Sequence, residues 1–110
     1  MNRTKHKKKI VKKYHHSSSR IKERYGIDLS EEEYRKISNS IRFLKEDCKK
    51  RHYKVELMEK KSNTRSIYKV YYNDIVLIVV YDKTRGCVET FLPLNCKEHK
   101  RYERNKKENE

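Results

Sequence analysis

Two spacings of apolar residues divide the chain. Tyr34, Ile37, Ile41, Leu44 and Cys48 recur at three- and four-residue steps, which puts them on one stripe of a helix facing a core. From Tyr53 onward the period falls to two. Tyr53, Val55 and Leu57 alternate with polar neighbours, as do Tyr68, Val70 and Tyr72, so each set predicts a half-buried strand. Ile75 to Tyr81 is apolar on both faces, as in a central strand covered on both sides, and Cys87 to Leu92 predicts a fourth strand ended by Pro93.

The punctuation between these segments agrees with them. Ser30 followed by Glu31, Glu32 and Glu33 is a capping box, with Leu29 and Tyr34 placed as its hydrophobic staple. Lys49, Lys50 and Arg51 suit the far end of that helix dipole. Ahead of it, Ser17, Ser18 and Ser19 offer N-caps for a short helix through Arg20 to Tyr25. Gly26 stops that helix, and Ile27 folds back on Ile21. Ser62 and Asn63 mark one turn and Asn73 and Asp74 a second. Asp82 to Gly86 forms a hairpin loop with glycine where a positive φ is needed.

The expected fold is α+β: two N-terminal helices packed on one face of a four-stranded antiparallel meander sheet, with the opposite face free for a ligand. This single domain spans residues 14–94. Residues 1–13 are expected to be a disordered basic arm, because they hold seven cations, no acid and little to bury; residues 95–110 read as a polar tail or frayed helix.

Composition narrows the function. The 110 residues hold 30 Lys and Arg against 16 Asp and Glu, a formal charge of +14 distributed as +7, +5 and +2 over residues 1–13, 14–94 and 95–110. Such an excess suits nucleic acid, RNA more than DNA given the tyrosines available for stacking. The longest apolar run is seven residues, too short to span a bilayer, and the basic start is not followed by an apolar stretch, so no membrane association or secretory signal is expected. Three cysteines without a CxxC motif fit a reducing, cytoplasmic setting. Two glycines leave no phosphate-cradling loop. Cys48 with His52 and Cys96 with His99 have spacings a zinc site could use, but Cys48 falls on the apolar stripe and His52 begins a strand, so no metal and no cofactor is expected.

Two sets of candidate residues remain. Arg3, Lys5, Lys7, Lys8, Lys9, Lys12 and Lys13 of the arm would neutralise phosphates, joined by Tyr71 on the free sheet face and Arg85 in the hairpin loop. His15, His16, Arg20 and Arg24 supply proton transfer and a cationic clamp. RNA carries its own nucleophile in the 2′-hydroxyl, so a base, an acid and cations suffice for cleavage without metal or covalent intermediate.

The stretch from His15, His16, Arg20 and Arg24 through Tyr25, Gly26, Ile27 and Leu29, then a glutamate-capped helix, strands, and Val80, Tyr81, Asp82 through Gly86 to Val88, Thr90, Leu92 and Pro93, resembles the small ribonuclease domains of the RelE and colicin type. Those domains, two helices on a four-stranded antiparallel sheet, occur in toxins, phages and related mobile elements. The resemblance covers about residues 14–94 and implies an RNA site lined by His15 or His16, Arg20, Arg24 and Thr90, and a protein partner such as an antitoxin or the ribosome. Two features depart from it. The long basic arm is outside the pattern, and strict alternation puts Thr90 on the same strand face as Val88 and Leu92, toward the core. The expected function is a small metal-independent endoribonuclease, with a non-catalytic nucleic-acid-binding or protein-interaction module as the alternative.

Overall fold

The computed structural model describes residues 3–44 and 52–108. Three helices and four strands follow one another as α1 (Arg3–Tyr25), α2 (Glu31–Arg42), β1 (Lys54–Lys60), β2 (Arg65–Tyr72), β3 (Ile75–Asp82), β4 (Cys87–Leu92) and α3 (Lys97–Glu108). The strands form one antiparallel sheet in the order β1-β2-β3-β4, the meander that the period-two segments predict. The fold is α+β, and α1 and α2 precede the sheet.

The local signals act where they stand. The Ser30 hydroxyl accepts the Glu33 backbone N–H at 3.1 Å, while Leu29 and Tyr34 are both buried in the core. Gly26 closes α1 with φ +69° and an N–H bond to the Lys22 carbonyl, and Gly86 takes φ +67° at the end of the β3–β4 hairpin. Asn73, with φ +53°, turns β2 into β3.

Alternation then sorts the sheet residues. Val55, Val70, Tyr72, Leu77, Val79, Tyr81, Val88 and Phe91 join Ile21, Leu29, Tyr34, Ile37 and Ile41 in one buried cluster between the sheet and the first two helices. Tyr68 packs against that same cluster. Of the four sheet tyrosines, Tyr71 alone is left for the other face.

Four expectations need correction. The first helix does not begin at Arg20. Its backbone runs unbroken from Arg3, so residues 3–13 are helical instead of a disordered arm, and Ser17 to Ser19 lie inside the helix instead of capping it. No glycine or proline interrupts this segment, and its lysines and arginines are good helix formers, so a helix anchored downstream propagates through them. The second helix is shorter than its stripe. It stops at Arg42, because the chain returns at His52 and Tyr53, whose N–H groups both bond to the Ser40 hydroxyl. Cys48 and the basic run Lys49 to Arg51 lie outside the described residues. The residues after Asn95 form α3, which lies against β1 and ties to β2, so the second sheet face is not free. Thr90, finally, does not share the Val88 face, because the register of β4 shifts between them.

Candidate functional site

β4 is an edge strand, and exposed edges invite pairing with another chain. Here α1 and α2 cover it with side chains. Ser17 is fully buried in α1 and donates to the Glu89 carbonyl at 3.1 Å. Arg24 donates to the Phe91 carbonyl, Tyr34 to Val88, and Tyr25 to Leu92 at 2.6 Å. The Val88 N–H bonds in turn to Ser38 of α2 at 3.0 Å. This polar stitching holds α1 alongside β4 and fixes which of its residues overlook the strand.

A bulge does the rest. Val80 pairs with Thr90 and Tyr81 with Val88, so Glu89 is the extra residue in β4. The inserted residue breaks alternation. Val88 and Phe91 face the core, while Thr90 is half-buried and turned out of it, contrary to the strict alternation expected. Thr90 and Glu89 thereby line an open cleft of about 380 Å³ together with Lys12, Lys13 and His16 of α1. His16 and Thr90, predicted for one site from distant parts of the sequence, meet there.

The electrostatics of the cleft come from a charged cluster that two of its lining residues, Lys13 and Glu89, belong to. Asp82, whose side chain is 1% exposed, receives Lys13 at 2.8 Å and Arg65 at 3.0 Å. Glu89 receives the same two cations, at 3.2 and 2.8 Å. Asp82 also accepts the N–H groups of Thr84 and Arg85, which ties the hairpin loop into the cluster. Burial alone would raise both carboxyls. The hydrogen bonds from Lys13 to Asp82 and from Arg65 and Lys13 to Glu89 outweigh it and hold both below the usual carboxylate range. Glu89 is therefore ionised at neutral pH, beside His16.

The other candidates divide by their contacts. Arg20 stands one turn beyond His16 on the same side of α1 and pairs with Glu23 at 3.1 Å. His15 is exposed, does not line the cleft, and its ring meets that of Tyr14 at 5.2 Å. Arg24 and Lys13 are engaged by the fold itself. Arg3, Lys5, Lys7, Lys8 and Lys9 lie on the first two turns of α1. Arg85 is half-buried, its guanidinium 4.0 Å from Asp82. Tyr71 donates to Glu56 at 3.0 Å under α3. Of the residues with zinc-like spacing, His99 bonds to the Leu94 carbonyl and to Glu103. Glu89, Asp82 and Arg65 escaped the sequence reading, which sought cations and imidazoles. The signal available was Glu89 itself, an acid inside a strand one residue before the threonine that the resemblance singled out.

No family model matches the chain, and neither a curated protein nor a solved structure does. Among the described residues no helix is long and apolar enough to cross a membrane.

The cluster has a pH signature. A carboxyl depressed in the folded state contributes stability that is present above its unfolded pKa, near 4, and lost as pH falls through the lower folded value. Urea unfolding at stepwise lower pH is expected to show stability falling below about pH 4. The Asp82→Asn variant should be less stable at neutral pH and its curve flatter across the acid range, and an unchanged slope would exclude Asp82 as a source of the acid sensitivity.

Proposed function

We propose that this protein is a small metal-independent ribonuclease acting at the α1–β4 cleft. One observation carries the reading: an imidazole, an ionised carboxylate and surrounding cations converge on an open cleft beside a bulged edge strand, the set that 2′-hydroxyl attack requires. Glu89 takes the proton of the 2′-hydroxyl as that oxygen attacks the adjacent phosphorus. His16 gives a proton to the departing 5′-oxygen, leaving a 2′,3′-cyclic phosphate on one product and a 5′-hydroxyl on the other. Lys12 and Arg20 neutralise the charge that builds on the phosphorane, and Thr90 orients a phosphate oxygen. Solvent exchange returns both proton carriers to their starting states. The resemblance to RelE-type and colicin-type domains supports the same reading, with Glu89 added and Arg24 reassigned to the fold.

Residues 3–9 of α1 hold five cations. They supply affinity that is independent of sequence. The test pairs an RNA oligonucleotide with its 2′-O-methyl counterpart in chelator: the first should be cut and the second bound but left whole. Removing residues 1–9 should flatten the slope of log affinity against log salt by roughly 3 to 4, because each contact with single-stranded phosphate contributes about 0.7. Cutting of the methylated strand would exclude 2′-hydroxyl attack, and an unchanged slope would place the binding surface elsewhere.

A second reading, a non-catalytic RNA-binding module, is favoured by the engagement of Lys13 and Arg24 within the fold. It predicts binding without product.

A further inference from the structure

α3 has an unusual composition for a helix that covers a sheet. Its sequence, KEHKRYERNKKE, holds no aliphatic residue, and Tyr102 is its single aromatic. The contacts that join it to the sheet are correspondingly polar. Glu98 meets Lys61 at 3.5 Å, Arg101 meets Glu59 at 3.5 Å, Tyr102 donates to Glu56 at 2.5 Å, and Glu103 receives Lys69 at 3.3 Å. Pairs of this kind contribute little each and weaken with salt. In two of these contacts α3 supplies the carboxylate, Glu98 on Lys61 and Glu103 on Lys69, and those two are contacts that other anions can replace.

What lies beneath has a distinct chemistry. Lys69 is 8% exposed, its ammonium 5.5 Å from the Tyr71 ring and 5.6 Å from the Tyr102 ring, with the Glu103 carboxylate on it. Lys54 stands 5.1 Å from the centre of the Tyr71 ring. A sheet face that sets lysines around an aromatic ring is the chemistry on which single-stranded RNA stacks its bases and rests its phosphates. In the structure α3 satisfies two of the lysines: Glu103 and Glu98 put carboxylates on Lys69 and Lys61, and Tyr102 puts a ring against Lys69, while Tyr71 and Lys54 turn to Glu56 of β1. Tyr102 is held as a phenol, its pKa pushed up to about 12 mainly by its bond to Glu56. It therefore adds no charge of its own.

We propose that α3 is a displaceable strap that occupies a second RNA-contact surface, built from Lys54, Lys61, Lys69 and Tyr71, and that single-stranded RNA competes with it for that surface. The inference rests on the RNA reading above but not on cleavage. The strap sets a threshold. A short or weakly bound RNA engages α1 alone, whereas a longer strand supplies enough phosphates to take over Lys69 and Lys61.

The test uses the full chain and a fluorescent 2′-O-methyl RNA oligonucleotide long enough to reach both α1 and the sheet face, which lacks the 2′-hydroxyl nucleophile. Saturating RNA is expected to speed hydrogen exchange of the α3 amides while leaving β3 protected. The Glu98→Gln, Glu103→Gln double variant should bind roughly three- to tenfold more tightly, and adding Tyr71→Ala should remove the gain. Exchange on the unmodified chain decides the matter even where a variant folds poorly. RNA binding with α3 exchange unchanged or slowed overturns the strap and leaves the RNA reading standing. No RNA binding by any of these proteins overturns both.

Discussion

Replacing His16 with alanine is expected to lower RNA cleavage by about 10² to 10⁴-fold while changing RNA affinity by no more than a few fold, because it removes a proton donor and no part of the fold. His16 is exposed and makes none of the contacts that hold α1 on β4, so the variant should melt as the parent does. His15→Ala is the matched control. The two residues are adjacent but about 100° apart around the helix, and His16 alone of the pair lines the cleft. His15→Ala should therefore retain nearly full activity. Loss of cutting in His15→Ala with retention in His16→Ala would mean that the RNA lies on a different side of α1. Glu89→Gln should also lose activity, yet it should bind RNA somewhat more tightly, since it frees Lys13 and Arg65 from a carboxylate.

The second large effect concerns stability. Ile41 is 4% exposed and belongs to the same buried cluster as Leu77 and Val79. Its helix docks chiefly on β4 and then on β1. Ile41→Ala should cost about 2 to 5 kcal/mol, a large share of the 5 to 15 kcal/mol typical of a small domain. Ser30→Ala removes only the cap on Glu33 and should cost about 0.5 to 2 kcal/mol. Denaturant unfolding of the two variants ranks them directly. Equal losses, or none for Ile41, would mean that α2 does not carry the core as described.

The elements stabilised by apolar burial or by local backbone chemistry were legible in the sequence. The capping box at Ser30, the glycine stop at Gly26, the tight turn at Asn73 and all four strands stand where spacing and turn residues put them. What escaped was structure held by polar groups. The sequence of residues 3–13 has few apolar positions, and although residues 95–110 read as a tail or frayed helix, no apolar period announces that α3 docks on the sheet. Their placement depends on long-range pairs such as Lys13 with Asp82 and Lys69 with Glu103, which sequence spacing does not announce. The same holds inside α2, where Ser38 and Ser40 are buried to bond β4 and the two residues that lead into β1, although the stripe counts only apolar positions.

The candidate site was half legible for a related reason. His16 and Thr90 were named from separate segments, and the fold brings them to one cleft. The bulge that turns Thr90 out of the core has no glycine or proline to mark it, so strict alternation misplaced that residue. The bulged residue itself, Glu89, became a candidate only once Lys13 and Arg65 were seen on either side of it.

The most direct test of the central claim is the chemistry of the ends. Purified protein is incubated with a defined RNA oligonucleotide in excess chelator, and the fragments are weighed by mass spectrometry. Attack by the 2′-hydroxyl within the cleft predicts fragments ending in a 2′,3′-cyclic phosphate opposite a 5′-hydroxyl, absent when His16→Ala replaces the parent protein. Fragments bearing 5′-phosphates, or cyclic phosphate ends produced equally well by His16→Ala, would contradict it.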